Sequence, residues 1–508
     1  METKLLSEKY ADMLDGVLGC YDRVILTGSL SPFCYAQGMT SYLYGKGIRI
    51  FDYVQFAEPL RDEIRANAEA LAQANGLEIE FIRRNDFRKE DRIHEVLAAR
   101  GDQPGLVHIF AAMEPCTSYK PWHDKATGKT YLKNAGGKCL HYYFYILDIE
   151  LGLCYLRVPT WCPFRLQFYF NGHNWLAARL RERQVACTPL DNAFSHVADY
   201  ELANQLTAQF DCHALQAKLD GLAQRYCPVI VALNLSYYWS LMQVEYALDL
   251  VFKQQATLQA FYPALLETLT HAVKPADIAT FLGKKLHGLY QGEMGNNFNV
   301  RLLGTRIRHR MGPVSIKMYD KFALILRIEV TVSDVSFFQH RREVVHLNGE
   351  REMKWAKMQK SIYSLGPLRD LLAAACQRYL KFVSDVQTPE LGVQQLNQLT
   401  QTQVQDEHRY KGFTLLSEED ASLFRLLLHG EFAISGFTNK ALRQALSGRS
   451  SAQVSRLLKR LRVHKLIKKV GLRYKYYLTD FGRQVATMVL KLRELHVIPT
   501  LAQPFSAS

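Results

Sequence analysis

The chain has no Cys-x-x-Cys pair among its ten cysteines, no His-x-His pair among its 16 histidines, no unbroken apolar run of membrane-spanning length and no glycine-rich phosphate loop. Each absence excludes something. A membrane span needs about 20 consecutive apolar residues, so none is expected. The opening "METKLLSEKYADML" lacks the charged-then-apolar layout of a signal peptide, which points to the cytoplasm. Unpatterned cysteines such as Cys34, Cys116, Cys139, Cys154 and Cys162, in a chain of 508 residues that needs no staples, read as reduced and mostly buried thiols. Without a P-loop or dinucleotide fingerprint, nucleotide-driven motor work drops out. At 48% apolar and 22% charged the composition is that of a globular protein with room for two to four domains.

Acid is also missing, locally. Between Lys440 and Lys475 twelve Lys or Arg side chains occur with no Asp or Glu, and between Arg301 and Lys321 six occur with one acid. These segments hold +12 and +5 of a net +14, which leaves the remainder at −3. A solubilising surface normally mixes signs. Two compact basic tracts on a near-neutral body therefore predict contacts with a polyanion.

Along the chain, residues 1–135 alternate strand and helix patterns, which predicts an α/β layer with some parallel pairing. Residues 136–385 open with a β-hairpin turning at Asp148 to Gly152, continue from Trp175 to about Leu286 with helical patterns such as "YYWSLMQVEYALDLVFK", and end on the helix "PLRDLLAAACQRYLKFVSDV". Within them "RIRHRMGPVSIKMYDKFALILRIEV", in the basic hairpin 300–332, alternates in period 2. It sets Arg306, Arg308 and Arg310 on one strand beside Lys317, Tyr319, Arg327 and Glu329 on the next two. Residues 386–412, with seven glutamines, read as a linker or a solvated helix.

Residues 413–495 carry the most specific pattern. Helices follow Ser417, Thr438 and the Ser450 region, and Val454, Leu457, Leu458 and Leu461 form an inward stripe opposite Ser451, Gln453, Arg456, Lys459 and Arg460. Two short strands around Gly471 and the helix "DFGRQVATMVLKLRELH" complete a winged helix-turn-helix. The "YYLT" strand running into "DFGR", Tyr476 to Arg483, resembles the MarR family and its winged-helix relatives. The resemblance implies base-edge contacts for Gln453 and Arg456 and phosphate contacts for Lys459, Arg460, Lys468, Lys469, Arg473 and Lys475, with duplex DNA ahead of RNA as partner.

For catalysis the candidates are Asp22, Asp148, Tyr319 and Glu329. Carboxylates from separate strands converging on Mg2+ or Mn2+ are how many nucleases and transposases stabilise phosphoryl transfer. Bland readings compete: Asp22 as a cap or salt-bridge partner, Asp148 as a turn residue, Glu329 as a cross-strand partner of Lys317 or Arg327. Tyr319, Asp320, Lys321, Leu326, Arg327 and Glu329 also resemble the "YDK…LR-E" segments of rolling-circle replication initiators, which implies a nucleophilic tyrosine; the missing His-x-His metal motif departs from that family. The strings "YFYILD", "NGHNWLA" and "SIKMYDKF…LRIE" resemble those of an uncharacterised bacterial protein family, a likeness that implies no activity.

The expectation is an α/β (α+β) large N-terminal region with a helical middle and a C-terminal winged helix-turn-helix. Its function would be nucleic-acid binding in replication, element mobility or transcription regulation. The alternatives are a metal-dependent nuclease or strand transferase, and a MarR-like regulator acting as a homodimer on a palindromic site.

Overall fold

Alternating and β-rich sequence builds most of the first of two units, Met1–Gln387, while the second, Thr388–Ser508, is mainly helical. The computed structural model describes residues 4–502 apart from 85, 286–292, 302–303, 347, 387–388, 447 and 471–473. Among these, no helix is long and apolar enough to cross a membrane.

The first unit is organised by one mixed sheet. Its strands are β1 (Leu14–Leu30), β2 (Ile79–Phe81), β3 (Gly105–Asp124), β4 (Lys129–Asp148), β5 (Gly152–Pro159) and β6 (Leu166–Asn171), then β9 (Tyr237–Phe252), β10 (Met294–Arg301), β11 (Gly304–Met311), β12 (Val314–Lys321) and β13 (Ile325–Val332). A small separate pair, β7 (Cys187–Pro189) and β8 (Phe194–Val197), precedes β9. The sheet order is β10-β11-β12-β13-β9-β1-β6-β5-β4-β3-β2. Only the β2–β3 pairing is parallel among the described strands, as the strand-helix-strand start of the sequence leads one to expect.

Three expectations need correction. "YYWSLMQVEYALDLVF" is not a helix but β9, flanked by β13 and β1 at the sheet's centre. From Tyr246 to Phe252 the strand is buried on both faces, and the apolar spacing there also fits a buried helix. The turn-rich string "MEPCTSYKPWHDKATGKTY", which composition alone assigns to a surface loop, instead continues β3 and β4 as one long hairpin. It is held down where Leu132 N donates to Thr40 Oγ1 at 2.9 Å and Tyr119 Oη to the Phe33 carbonyl at 2.5 Å. β4 also runs through residue 135, so the sequence boundary placed there falls inside a strand.

One face of the β9–β13 region is apolar and lies under the helix Leu365–Val386, whose buried side chains include Leu368, Leu372 and Tyr379. The other face holds the polar residues treated below. Beyond β13, β14 (Gln339–Val345) and β15 (Arg351–Lys357) form a two-stranded ribbon of their own.

In the second unit the glutamine-rich segment forms the helix Pro389–Thr400 and a hairpin of β16 (Gln403–Gln405) and β17 (His408–Tyr410). The helices Glu418–Leu427, Gly430–Ser435, Asn439–Ala445 and Ser451–Val463 follow. Then come β18 (Ile467–Val470), β19 (Lys475–Leu478) and the helix Asp480–Lys491. Val454, Leu457, Leu458 and Leu461 are buried against Phe424, Leu442 and Val485. Ser450 caps its helix with Gln453 in a reciprocal pair.

Candidate metal centre and nucleic-acid surface

Three neighbouring strands of the sheet each contribute a carboxylate: Asp22 from β1, Glu245 from β9 and Glu329 from β13. One oxygen of each lies within 4.8 Å of the others. Register explains the meeting. Across β12–β13 Lys317 opposes Glu329 and Tyr319 opposes Arg327; across β13–β9 Thr331 opposes Glu245 and Arg327 opposes Asp249. Opposed residues share a face, so this side of the sheet is polar from β12 to β9. On β1 the register against β9 shifts between Tyr21 and Val24, an irregularity of the kind that re-aims a side chain, and Asp22 sits in it.

The helix Gly172–Glu182 begins beside Asp22. Asn171 caps it by accepting from His173 N at 2.8 Å while donating Nδ2 to Asp22 Oδ1 at 3.0 Å. A Cβ on Gly172 would stand 2.1 Å from the Tyr21 carbonyl oxygen, so only glycine lets the helix start this close to β1.

Arg327 ties the group together. It is fully buried, donates Nε and Nη2 to the two oxygens of Asp249 at 2.7 Å each, and reaches the Asn192 carbonyl at 2.6 Å and Asp22 Oδ2 at 3.4 Å. Asn192 Nδ2 in turn donates to both oxygens of Asp22, at 2.6 and 2.7 Å. Burial alone would raise the Asp22 carboxyl, but the Arg327 charge, then His173 and Asn192, outweigh it and hold it well below the usual carboxylate range. Glu245 goes the other way: burial first, then the charge of Glu329, push it above the ordinary glutamate value. Glu329 accepts from the Lys317 ammonium and from Tyr319 Oη, the latter at 2.8 Å. Burial and the neighbouring Glu329 push the Tyr319 phenol far above its ordinary value, so it serves as a hydrogen-bond donor that orients Glu329.

Asp22, Asp249, Glu245 and Glu329 face Arg327, Lys317 and Arg23, and His173 lies 3.6 Å from Asp22 and 3.7 Å from Asp249. Ser315 Oγ, on the face that Lys317 shares, is buried without a hydrogen-bond partner among the described residues. Three converging hard oxygen ligands suit a divalent cation of the Mg2+ or Mn2+ type. Asp22 and Glu245 open onto a cleft of about 510 Å3 that is also lined by Arg23, Tyr145, Tyr155 and Tyr169. The Tyr155 and Tyr169 rings are stacked at 5.1 Å, and Arg23 lies over Tyr169.

The remaining sequence candidates separate. Asp148 stands apart, at the β4 turn, where it accepts from Lys218 and from the Glu150 and Leu151 amides. Arg327, expected among the nucleic-acid contacts, is corrected to an interior anchor: at 0% exposure with its fork on Asp249 it has no surface to offer. Arg306, Arg308 and Arg310 on β11 pair with Tyr319, Lys317 and Ser315, so they extend the same polar face outward as a basic border.

In the second unit Arg456 and Lys468 are exposed, and Lys469 and Lys475 are half-buried beside Tyr474 and Tyr477. Arg473 lies outside the described residues. Ser451 Oγ is near Asn439 Oδ1 at 3.4 Å, the Gln453 side chain accepts from Ser450 N, and Lys459 pairs with Asp406 at the surface. Arg460 is corrected to a structural role: it donates to the Lys411 and Gly412 carbonyls at 2.8 Å, pairs with Asp420 and lies 3.9 Å over the Phe413 ring.

Comparison with protein-family models, with curated proteins and with solved structures gave no match for this chain. Sequence reasoning missed Glu245, Asp249, Arg23 and Asn192. The signal for the first two was present, since Glu245, Ala247 and Asp249 alternate with Val244, Tyr246, Leu248 and Leu250 in period 2.

Proposed function

We propose that this chain binds nucleic acid and cuts or transfers its phosphodiester strands with a divalent cation held by Asp22, Glu245 and Glu329. The observation that carries the reading is the convergence of these carboxylates from three strands, on a face bordered by Arg306, Arg308 and Arg310. A cation there would polarise a phosphoryl oxygen and lower the pKa of a bound water. The chain's own residues supply the rest. Arg327 and Asn192 fix Asp22, Tyr319 and Lys317 fix Glu329, and the arginine border neutralises the phosphates of a strand laid across the sheet.

The second unit is read as a winged helix-turn-helix that holds duplex DNA. The helix Ser451–Val463 would enter the major groove and β18–β19 would form the wing. Arg456 and Lys468 are the contacts this reading favours.

A purely binding role is the second reading. What favours it is Lys317, whose ammonium already neutralises Glu329. Incubating the full chain with end-labelled single-stranded and duplex DNA and RNA, with Mg2+, Mn2+ or chelator, separates the two. Metal-dependent strand loss that Glu245→Gln abolishes supports the enzyme. Binding with all strands intact in every condition leaves the binder.

A further inference from the structure

We propose that the β14–β15 ribbon is a platform for unpaired nucleic acid, with Trp355 stacking on a base and Arg341 and Lys357 holding the flanking phosphates. The proposal rests on the reading above that the ligand is a nucleic acid.

The ribbon's placement comes first. Phe338 and Met358, which bracket it, are buried at 3% and 2%, and Met358 N donates to the Phe338 carbonyl at 3.0 Å. Between these anchors no ribbon side chain joins a hydrophobic core among the described residues. A two-stranded hairpin is marginal in water by itself, so the anchors rather than any packing of the strands keep it in place.

The two faces differ. On one, Lys354 pairs with Glu352 at 3.0 Å, His346 lies 3.2 Å from Glu352, and Arg342 donates to the Lys357 and Glu343 carbonyls, so its polar groups are spent internally. On the other, strand alternation presents Arg341, Val345, Arg351, Met353, Trp355 and Lys357, all exposed. Arg351 is matched by Glu343 at 3.3 Å. Neither the Arg341 nor the Lys357 side chain has a hydrogen-bond or ion-pair partner among the described residues.

Trp355, directly opposite Arg341, is 71% exposed. A tryptophan left that open on a ribbon with no core is a large apolar surface without a structural use. Flanked by two uncommitted cations, it has the composition of a single-strand platform, in which an aromatic face takes a base and nearby charges take the backbone. Stacking is indifferent to base identity, so the platform would take strands of mixed sequence.

The test uses the full chain and a fluorescein-labelled single strand of mixed sequence, about 20 nucleotides long, which exceeds one strand-binding module. Binding is read by anisotropy across a salt series, with the thermal midpoint of each variant as the folding control. The expected result is that Trp355→Ala weakens binding about tenfold, Trp355→Phe stays near wild type, and Arg341→Ala with Lys357→Ala lowers the salt dependence. Wild-type affinity in Trp355→Ala overturns the platform and leaves the proposed function standing. A Trp355→Ala variant that keeps strand affinity but loses self-association overturns it in favour of an interface between copies. No strand binding by the wild type overturns the platform, and if duplex DNA and RNA are likewise neither bound nor cut, the proposed function falls with it.

Discussion

Lys317 and Glu329 oppose each other across β12 and β13, and the ammonium rests on the carboxylate at the edge of a cluster that Asp22 and Glu245 complete. The Lys317 charge offsets part of the repulsion among the three carboxylates. Breaking the pair has a defined consequence. Lys317→Met leaves Glu329 buried and uncompensated, so the metal-free protein should lose about 3 kcal/mol of unfolding free energy, of which Mn2+ should recover a large part. Urea unfolding with Mn2+ or chelator measures both. Equal losses in the two conditions would separate Lys317 from any cation site.

Arg327 is predicted to be the least replaceable side chain of the group. Arg327→Met strands Asp249 and Asp22 in the interior and should cost about 3–5 kcal/mol. Arg327→Lys should recover only part, because an ammonium does not span both oxygens of Asp249. Denaturation midpoints of the two variants check the order.

Glu245 should set the pH response of cation binding. Its carboxyl is raised, so in the folded chain it keeps a proton at pH values where the unfolded chain has released it. Metal-free stability therefore falls as pH rises through the window just above the ordinary glutamate value. A cation would take the place of that proton. The rise in thermal midpoint produced by Mn2+ should grow as pH rises through that window in the wild type and stay flat in Glu245→Gln.

Two imidazoles govern the acid side. Burial, first, lowers His141 and His309 to about 4, with the Arg157 charge adding to it at His141. The unfolded chain takes up these protons near pH 6.5. The stabilisation is thus complete above that value and lost as pH falls toward 4, by about 3 kcal/mol for each imidazole. His141→Gln should reduce the slope of stability against pH in that window by up to one proton, with the wild type measured alongside.

In the second unit, exposed and committed basic residues should behave differently. Arg456→Ala and Lys468→Ala should each weaken duplex binding and lower the salt slope by about 1. Arg460→Ala should instead reduce stability by about 2 kcal/mol, since its guanidinium holds the Lys411 and Gly412 carbonyls. Anisotropy and thermal melts of the three variants make the comparison.

Much of the polar face was legible in the sequence. Alternation between Ser315 and Thr331 placed Lys317, Tyr319, Arg327 and Glu329 on one side, and the β12–β13 register does the same. Asp22 and Glu329 could be named as carboxylates, but not brought together, because the β1–β9 pairing joins residues more than two hundred positions apart in the chain and β9 then carries β13 on its other side. Glu245 was hidden by a strand apolar enough to read as a helix. Whether Arg327 and Arg460 face water or an interior acid is decided by partners far away in sequence, Asp249 and Asp420, which no local pattern encodes.

The central claim is that Asp22, Glu245 and Glu329 together hold a divalent cation. Electron paramagnetic resonance of Mn2+ titrated into the full chain tests it most directly, since bound and free Mn2+ give separable signals. The account predicts saturable binding in the wild type that competes with Mg2+ and is lost in Asp22→Asn, Glu245→Gln and Glu329→Gln while their far-ultraviolet circular dichroism is unchanged. Equal Mn2+ binding by the wild type and all three folded variants, or none by the wild type, would contradict it.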